Sequence, residues 1–112
     1  MRVYRTAVVQ ALSEIADRRF QERVWLASEG PEISSIDEAV CRLFDDSGLG
    51  EALDKGVVFS SEIDAMLRDL DRKLVSLAHI ARSPSETLVD ERLPAIRELA
   101  AAALFMIVRR DQ

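Results

Sequence analysis

Asp45, Asp46 and Ser47 stand in a row ahead of Gly48, in the stretch LFDDSG. Two neighbouring carboxylates with a hydroxyl are residue types that could ligate a divalent cation or, with basic helpers, orient a phosphate. The spacing argues against both. A calcium loop of the EF-hand kind sets oxygen ligands at alternate positions before a glycine and closes on a bidentate glutamate. Here the aspartates are adjacent and Leu49 takes a would-be ligand position. A magnesium site of two carboxylates needs phosphate binders such as a Gly-rich loop with its lysine, and Lys55 has no such context. With His79 as the single histidine, no zinc cluster or two-histidine centre can be assembled within one chain. Cys41, the single cysteine, lies beside an apolar helix face without an activating base and reads as a small core hydrophobe. The expectation is no metal, no cofactor and no enzyme activity, with LFDDSG as the end of a helix. Carboxylates there oppose the helix dipole, so a compensating group is expected: Asp46 or Ser47 capping the following turn, or a basic partner.

The elements around this stretch follow from periodicity. Tyr4, Val8, Ala11, Leu12 and Ile15 keep the three-four spacing of an amphipathic helix. The pattern restarts at Phe20, Val24 and Ala27, so a kink or break is expected near Asp17, whose carboxylate could cap a new N-terminus, and Gly30 with Pro31 ends it. Ser35 followed by Glu38 forms a capping box, so a helix starts there with Ile36, Ala39, Val40, Leu43 and Phe44 inward, closed by a left-handed Gly48. Residues 49 to 55 read as a short helix ended by Gly56, and VVFSS as an extended connection or a minor strand. Ser60 or Ser61 caps a long helix striped by Ile63, Leu67, Leu70, Leu74, Leu77 and Ala81. Asp64 with Arg68 and Asp69 with Lys73 are acid-then-base pairs one turn apart on it. Pro84, flanked by Ser83 and Ser85, marks a loop. A last helix begins near Leu93 or Pro94, carries Ile96, Leu99, Ala100, Ala103, Leu104 and Ile107 inward, and ends in Arg109 and Arg110. The fold class expected is all-α: one domain over residues 1 to 112, a bundle of four to five helices packed at mixed angles. Trp25, the single tryptophan of an aromatic-poor chain, is either an interface hot spot or, as the favoured reading, a centre for its core.

The longest apolar run, LAAAALFMIV at 99 to 108, is ten residues, about half of what spans a bilayer. No export signal is expected at the N-terminus, because Gln10, Ser13 and Glu14 interrupt its apolar stretch. A cytoplasmic location is expected, in keeping with one free cysteine. The net charge of -5 is unevenly divided. Residues 1 to 28 carry +2 and residues 55 to 112 carry 0, whereas residues 29 to 54 carry eight acids against Arg42 alone. Such a segment repels phosphate backbones and attracts basic surfaces. Nucleic-acid binding is therefore disfavoured, and the row Arg68, Arg72, Val75, His79 and Arg82 reads as a solvated face whose adjacent acids cancel much of its charge.

RVWLASEG, IDEAVCRLFDDSG, SSEIDAMLRDLD and DERLPAIRELAAAAL together resemble an uncharacterised family of small, mostly actinobacterial, all-helical proteins. Its pattern has a Val-Trp after the first helix, an Asp-Asp-Ser or Asp-Asp-Thr helix end and an aromatic near the start of the last helix. Val24 with Trp25 and Phe44 through Ser47 fit it, while Leu93 stands where the aromatic is expected. The resemblance implies a bacterial source and a recurring framework containing Trp25, Asp45 and Asp46, and it transfers no activity.

The functional expectation is a small acidic protein-binding module, in its most concrete form an immunity or antitoxin-like protein that covers a basic partner. Asp37, Glu38, Asp45, Asp46, Glu51 and Asp54 would carry that contact. The alternative is a structural protein that forms a homodimer through the apolar C-terminal helix or the long leucine-striped one.

Overall fold

The computed structural model describes residues 2 to 27, 35 to 80 and 83 to 110, and of residues 78 to 80 the backbone only. Among them there are seven helices and no strand. They are α1 (Arg5–Ala16), α2 (Arg18–Phe20, running on as a π-helical Gln21–Leu26), α3 (Ile36–Cys41, running on as a π-helical Arg42–Asp46), α4 (Leu49–Lys55), α5 (Ser61–Ile80), α6 (Pro84–Val89) and α7 (Leu93–Arg110). The all-α class holds, and the expected four to five helices are corrected to seven.

Two local events account for the extra helices. At Asp17 the backbone turns extended, and its side chain accepts from the Phe20 amide at 3.1 Å, so the chain restarts as α2 instead of bending through. The stretch expected as a loop around Pro84 is helix α6. Ser83 is its N-cap, Pro84 fills the first turn where no amide partner is lost, and Ser83 Oγ accepts from the Glu86 amide at 3.2 Å. A fork from Arg92 to Asp90, with nitrogen to oxygen distances of 2.9 and 2.6 Å, then fixes the corner into α7.

α7 is the central element, packed along both α1 and α5. Val8, Ala11, Leu12 and Ile15 from α1, Ile63, Leu67, Leu70, Leu74 and Leu77 from α5, and Leu93, Ile96, Ala100, Ala103 and Ile107 from α7 form the buried seam. Tyr4, expected inward, is half-exposed because it lies ahead of α1 on an extended N-terminal segment. Trp25 is buried among this core. The Gly30 and Pro31 break, Ala81 and Arg82 lie outside the described residues.

The connection VVFSS is neither strand nor free loop. Asp64, 1% exposed, accepts from the Val58 amide at 2.8 Å and the Phe59 amide at 3.0 Å and so folds the connection back onto α5. This overturns the expected Asp64 to Arg68 pair, since Arg68 donates instead to the Leu53 carbonyl at 2.9 Å, at the end of α4. The Asp69 to Lys73 pair is present at 3.5 Å, and Arg72 joins it at 3.1 Å.

A candidate acidic interface on α3 and α4

The LFDDSG stretch is a helix end closed from four directions. The π-helical turn over Arg42–Asp46 places Leu43 and Phe44 both inward and Asp45 and Asp46 both outward. Ser47, fully buried, donates its hydroxyl to the Leu43 carbonyl and accepts from the Leu49 amide at 3.1 Å, so one side chain ends α3 and caps α4. Gly48 has φ +80°, the left-handed conformation that favours glycine, and its amide donates to the Asp45 carbonyl at 3.1 Å. The fourth closure comes from far away in sequence: the Tyr4 amide donates to the Ser47 carbonyl at 2.8 Å. The N-terminal segment crosses so closely that a Cβ on Gly48 would lie 2.4 Å from the Arg2 carbonyl oxygen. The compensation expected at this helix end is thus supplied by Ser47 and by backbone, and the two carboxylates beside it stay in solvent.

All six residues expected to carry a contact, Asp37, Glu38, Asp45, Asp46, Glu51 and Asp54, are exposed. They do not form one cluster. Asp37, Glu38 and Asp46 border a shallow open depression on α3 together with Cys41 and Arg42. Asp45 and Asp54 instead share a field with Asp71 of α5: burial first, then these two neighbours, push the Asp71 carboxyl above its ordinary range, against the pull of Arg72. Glu51 meets Lys55 at 3.4 Å on the surface of α4. Among the described residues, no group of three or more histidine, cysteine or carboxylate side chains is placed to hold a metal ion.

Cys41 is exposed at the rim of this depression, which corrects its expected place in the core. Five residues past Ile36, at the helical 3.6 residues per turn, it lies about 140° round from that anchor, beyond the reach of the apolar face.

Arg42, the lone base of the acidic segment, stays half-exposed at the rim of this depression and reaches across to α1. Its Nη2 lies 2.5 Å from Oε2 of Glu14, a buried carboxylate of α1 whose Oε1 accepts from Trp25 Nε1 at 3.4 Å. Beside them the fully buried Gln21 donates to the Glu14 and Ile15 carbonyls at 2.9 and 2.7 Å and accepts from Arg97 of α7 at 2.8 Å. Burial, with Arg18 adding to it, lowers the Arg97 guanidinium from its ordinary value. This polar strand, absent from the expectations, ties α1, α2, α3 and α7 together. Its sequence signal is slight: Glu14 lies about 60° round the helix from Ala11, at the margin of the apolar stripe. The side chain of His79 lies outside the described residues, and Val75 is exposed on the same row of α5.

The fold and this surface define a small all-helical domain with an acidic face over α3, α4 and one edge of α5. The chain belongs to the family described as Domain of unknown function (DUF7945), whose model matches residues 1–111. That is an uncharacterised domain family with no established activity. No curated protein and no solved structure matches the chain. No helix among the described residues is long and apolar enough to cross a membrane.

Proposed function

We propose that the chain is a small acidic protein-binding module that covers a basic surface of a partner protein, in the manner of an immunity or antitoxin-like protein acting in the cytoplasm of a bacterium. The observation that carries this reading is the engagement of Arg42, the one base of the acidic segment, by Glu14 of α1. The acidic segment holds no other base before Lys55, and Lys55 is taken up by Glu51. Asp37, Glu38, Asp45, Asp46 and Asp54 are exposed and outnumber the half-exposed Arg42, which lies among three of them and is bound to Glu14, and Asp71 adds to the charge near Asp45 and Asp54. An exposed surface with a predominance of one sign of charge steers an oppositely charged partner into encounter and rejects like-charged ones, an effect that weakens as salt is added.

The experiment is capture of partners from the source bacterium by the immobilised chain and by an Asp45→Asn, Asp46→Asn variant, at low and high salt. Both side chains are exposed, so the variant keeps its fold, and circular dichroism checks this. The expected result is a basic protein recovered by the unaltered chain at low salt and several-fold less by the variant. Equal recovery by the two proteins, or recovery indifferent to salt, overturns the electrostatic reading.

A further inference from the structure

α7 uses one face to fill the seam between α1 and α5 and leaves the other uncovered. Glu98, Ala101, Ala102, Phe105, Val108 and Arg109 are all exposed, with Phe105 at 62% and Val108 at 37%. The outer face of a helix on a globular domain is ordinarily polar, yet between Glu98 and Arg109 this one carries no charged residue for ten positions. Ala101, the half-buried Leu104, Phe105 and Val108 line a shallow apolar groove that ends at Arg109, whose guanidinium lies 5.9 Å from the Phe105 ring centre.

We propose that this face pairs with the same face of a second copy of the chain, the two α7 helices running antiparallel about a twofold axis between Ala102 and Phe105. The spacing selects this occupant and this direction. Glu98 and Arg109 are eleven residues apart, about three turns, so they lie on nearly one line along the helix. A twofold axis midway between them sets Glu98 of each copy against Arg109 of the other, and the Phe105 ring of each copy over the small Ala102 of the other. Large meets small and acid meets base, twice each, as a self-complementary interface requires. Parallel pairing would set Arg109 against Arg109 and Phe105 against Phe105. The acidic face is distant from this surface in character, since it lies on α3 and α4 and lacks an apolar centre. The pairing goes beyond the protein-binding reading above and does not depend on it.

A patch of one helix is at the small end of specific interfaces, so the dimer is expected to be reversible, with a dissociation constant on the order of micromolar. Sedimentation equilibrium of the full chain between about 1 and 500 µM reads it directly. The unaltered chain should pass from monomer to dimer over this range. Phe105→Glu, and separately Ala102→Glu, should remain monomeric with an unchanged circular dichroism spectrum, because both side chains are exposed. Glu98→Arg and Arg109→Glu should each weaken association by about fivefold or more, and the two together should restore it to within about twofold. A chain that stays monomeric throughout, or association that survives both glutamate substitutions, overturns the interface. Failure of the paired reversal to restore association overturns the antiparallel register.

Discussion

Arg42 of α3 meets Glu14 of α1 at 2.5 Å, and only the Glu14 end of this pair is buried. The asymmetry decides what each substitution does. Removing the arginine strands a buried carboxylate, whereas neutralising the glutamate leaves an exposed cation to be solvated and keeps an oxygen for Trp25. Breaking a fully buried pair from one side costs about 3 to 5 kcal/mol, and the partial exposure of Arg42 reduces that. Arg42→Ala is expected to cost about 2 kcal/mol and Glu14→Gln about 1 kcal/mol or less, read as shifts of urea midpoint at pH 7. Equal costs would show that the carboxylate is as well solvated as the guanidinium.

Gly48→Ala tests the crossing of the N-terminal segment. The left-handed backbone costs a residue with a Cβ about 1 to 2 kcal/mol, and displacement of Arg2, whose carbonyl oxygen lies 2.4 Å from the Cβ position, adds to it. In a chain shortened to begin at Tyr4 the second contribution vanishes, so the same substitution should cost only about 1 kcal/mol there. The same cost in both backgrounds would separate Gly48 from the strand that crosses it.

Asp64 holds two amides of the connection ahead of α5. Asp64→Ala leaves the Val58 and Phe59 amides without their acceptor, and each buried amide deprived of its partner costs about 1 to 3 kcal/mol. A loss of about 3 kcal/mol is expected by chemical denaturation, with Asp64→Asn intermediate because it retains one acceptor oxygen. Amide exchange at positions 58 and 59 should rise in both variants ahead of exchange in α7.

The Asp90 carboxyl is held down at about 2 from an ordinary 3.8, chiefly by the hydrogen bonds from the Arg92 side chain and then its amide. A carboxylate whose folded value lies below its unfolded one stabilises the fold above the unfolded value, and that stabilisation is lost as pH falls toward the folded one. The melting temperature should therefore fall between about pH 4 and pH 2, and Asp90→Asn should lower it above about pH 4, where the carboxylate is ionised, so that the descent flattens and the two proteins converge near pH 2.

Asp71 has the opposite sign. Its carboxyl is raised by burial and by Asp45 and Asp54, so its ionised form opposes folding at neutral pH. Asp71→Asn is expected to raise the melting temperature at pH 7, by an amount worth less than about 1 kcal/mol. The gain should fade as pH falls through the carboxylate range and, in its Coulombic part, as salt is added. A variant that is less stable at pH 7 would mean that Asp71 accepts a stabilising bond from a neighbour.

What the sequence made legible were features with local causes. Asp17, Ser35 and Ser60 cap where their spacing says, since each bond is made within three residues. Gly48 turns left-handed where a helix must stop. The leucine stripe of α5 is buried from Ile63 to Leu77. The SPSE stretch carries the same capping signal as SIDE, and its proline, a loop former in most settings, occupies the one helical position that suits it. Less accessible were relations between distant segments. Nothing near Ser47 announces that Tyr4 will donate to it, and nothing near Asp64 announces that its carboxylate will turn back on the preceding loop and leave Arg68 for α4. Of the candidate surface, the exposure of the six acids followed from their type. Their division into two groups with Glu51 apart, the addition of Asp71 and the reach of Arg42 to Glu14 depend on how α3 packs on α1 and α5.

The crossing of Arg2 to Tyr4 over Ser47 and Gly48 also decides where an added segment would emerge. The Arg2 carbonyl packs against Gly48, which follows Asp45 and Asp46 closely in sequence, so an N-terminal affinity tag would be joined near the carboxylates through which a basic partner is to be captured. A tag of histidines, protonated in part at neutral pH, could occupy that surface itself. A C-terminal tag is joined away from Asp45 and Asp46 in sequence but follows the helix proposed to self-associate. Partner capture and measurement of self-association therefore call for opposite tagging schemes, and an untagged chain is the common control for both.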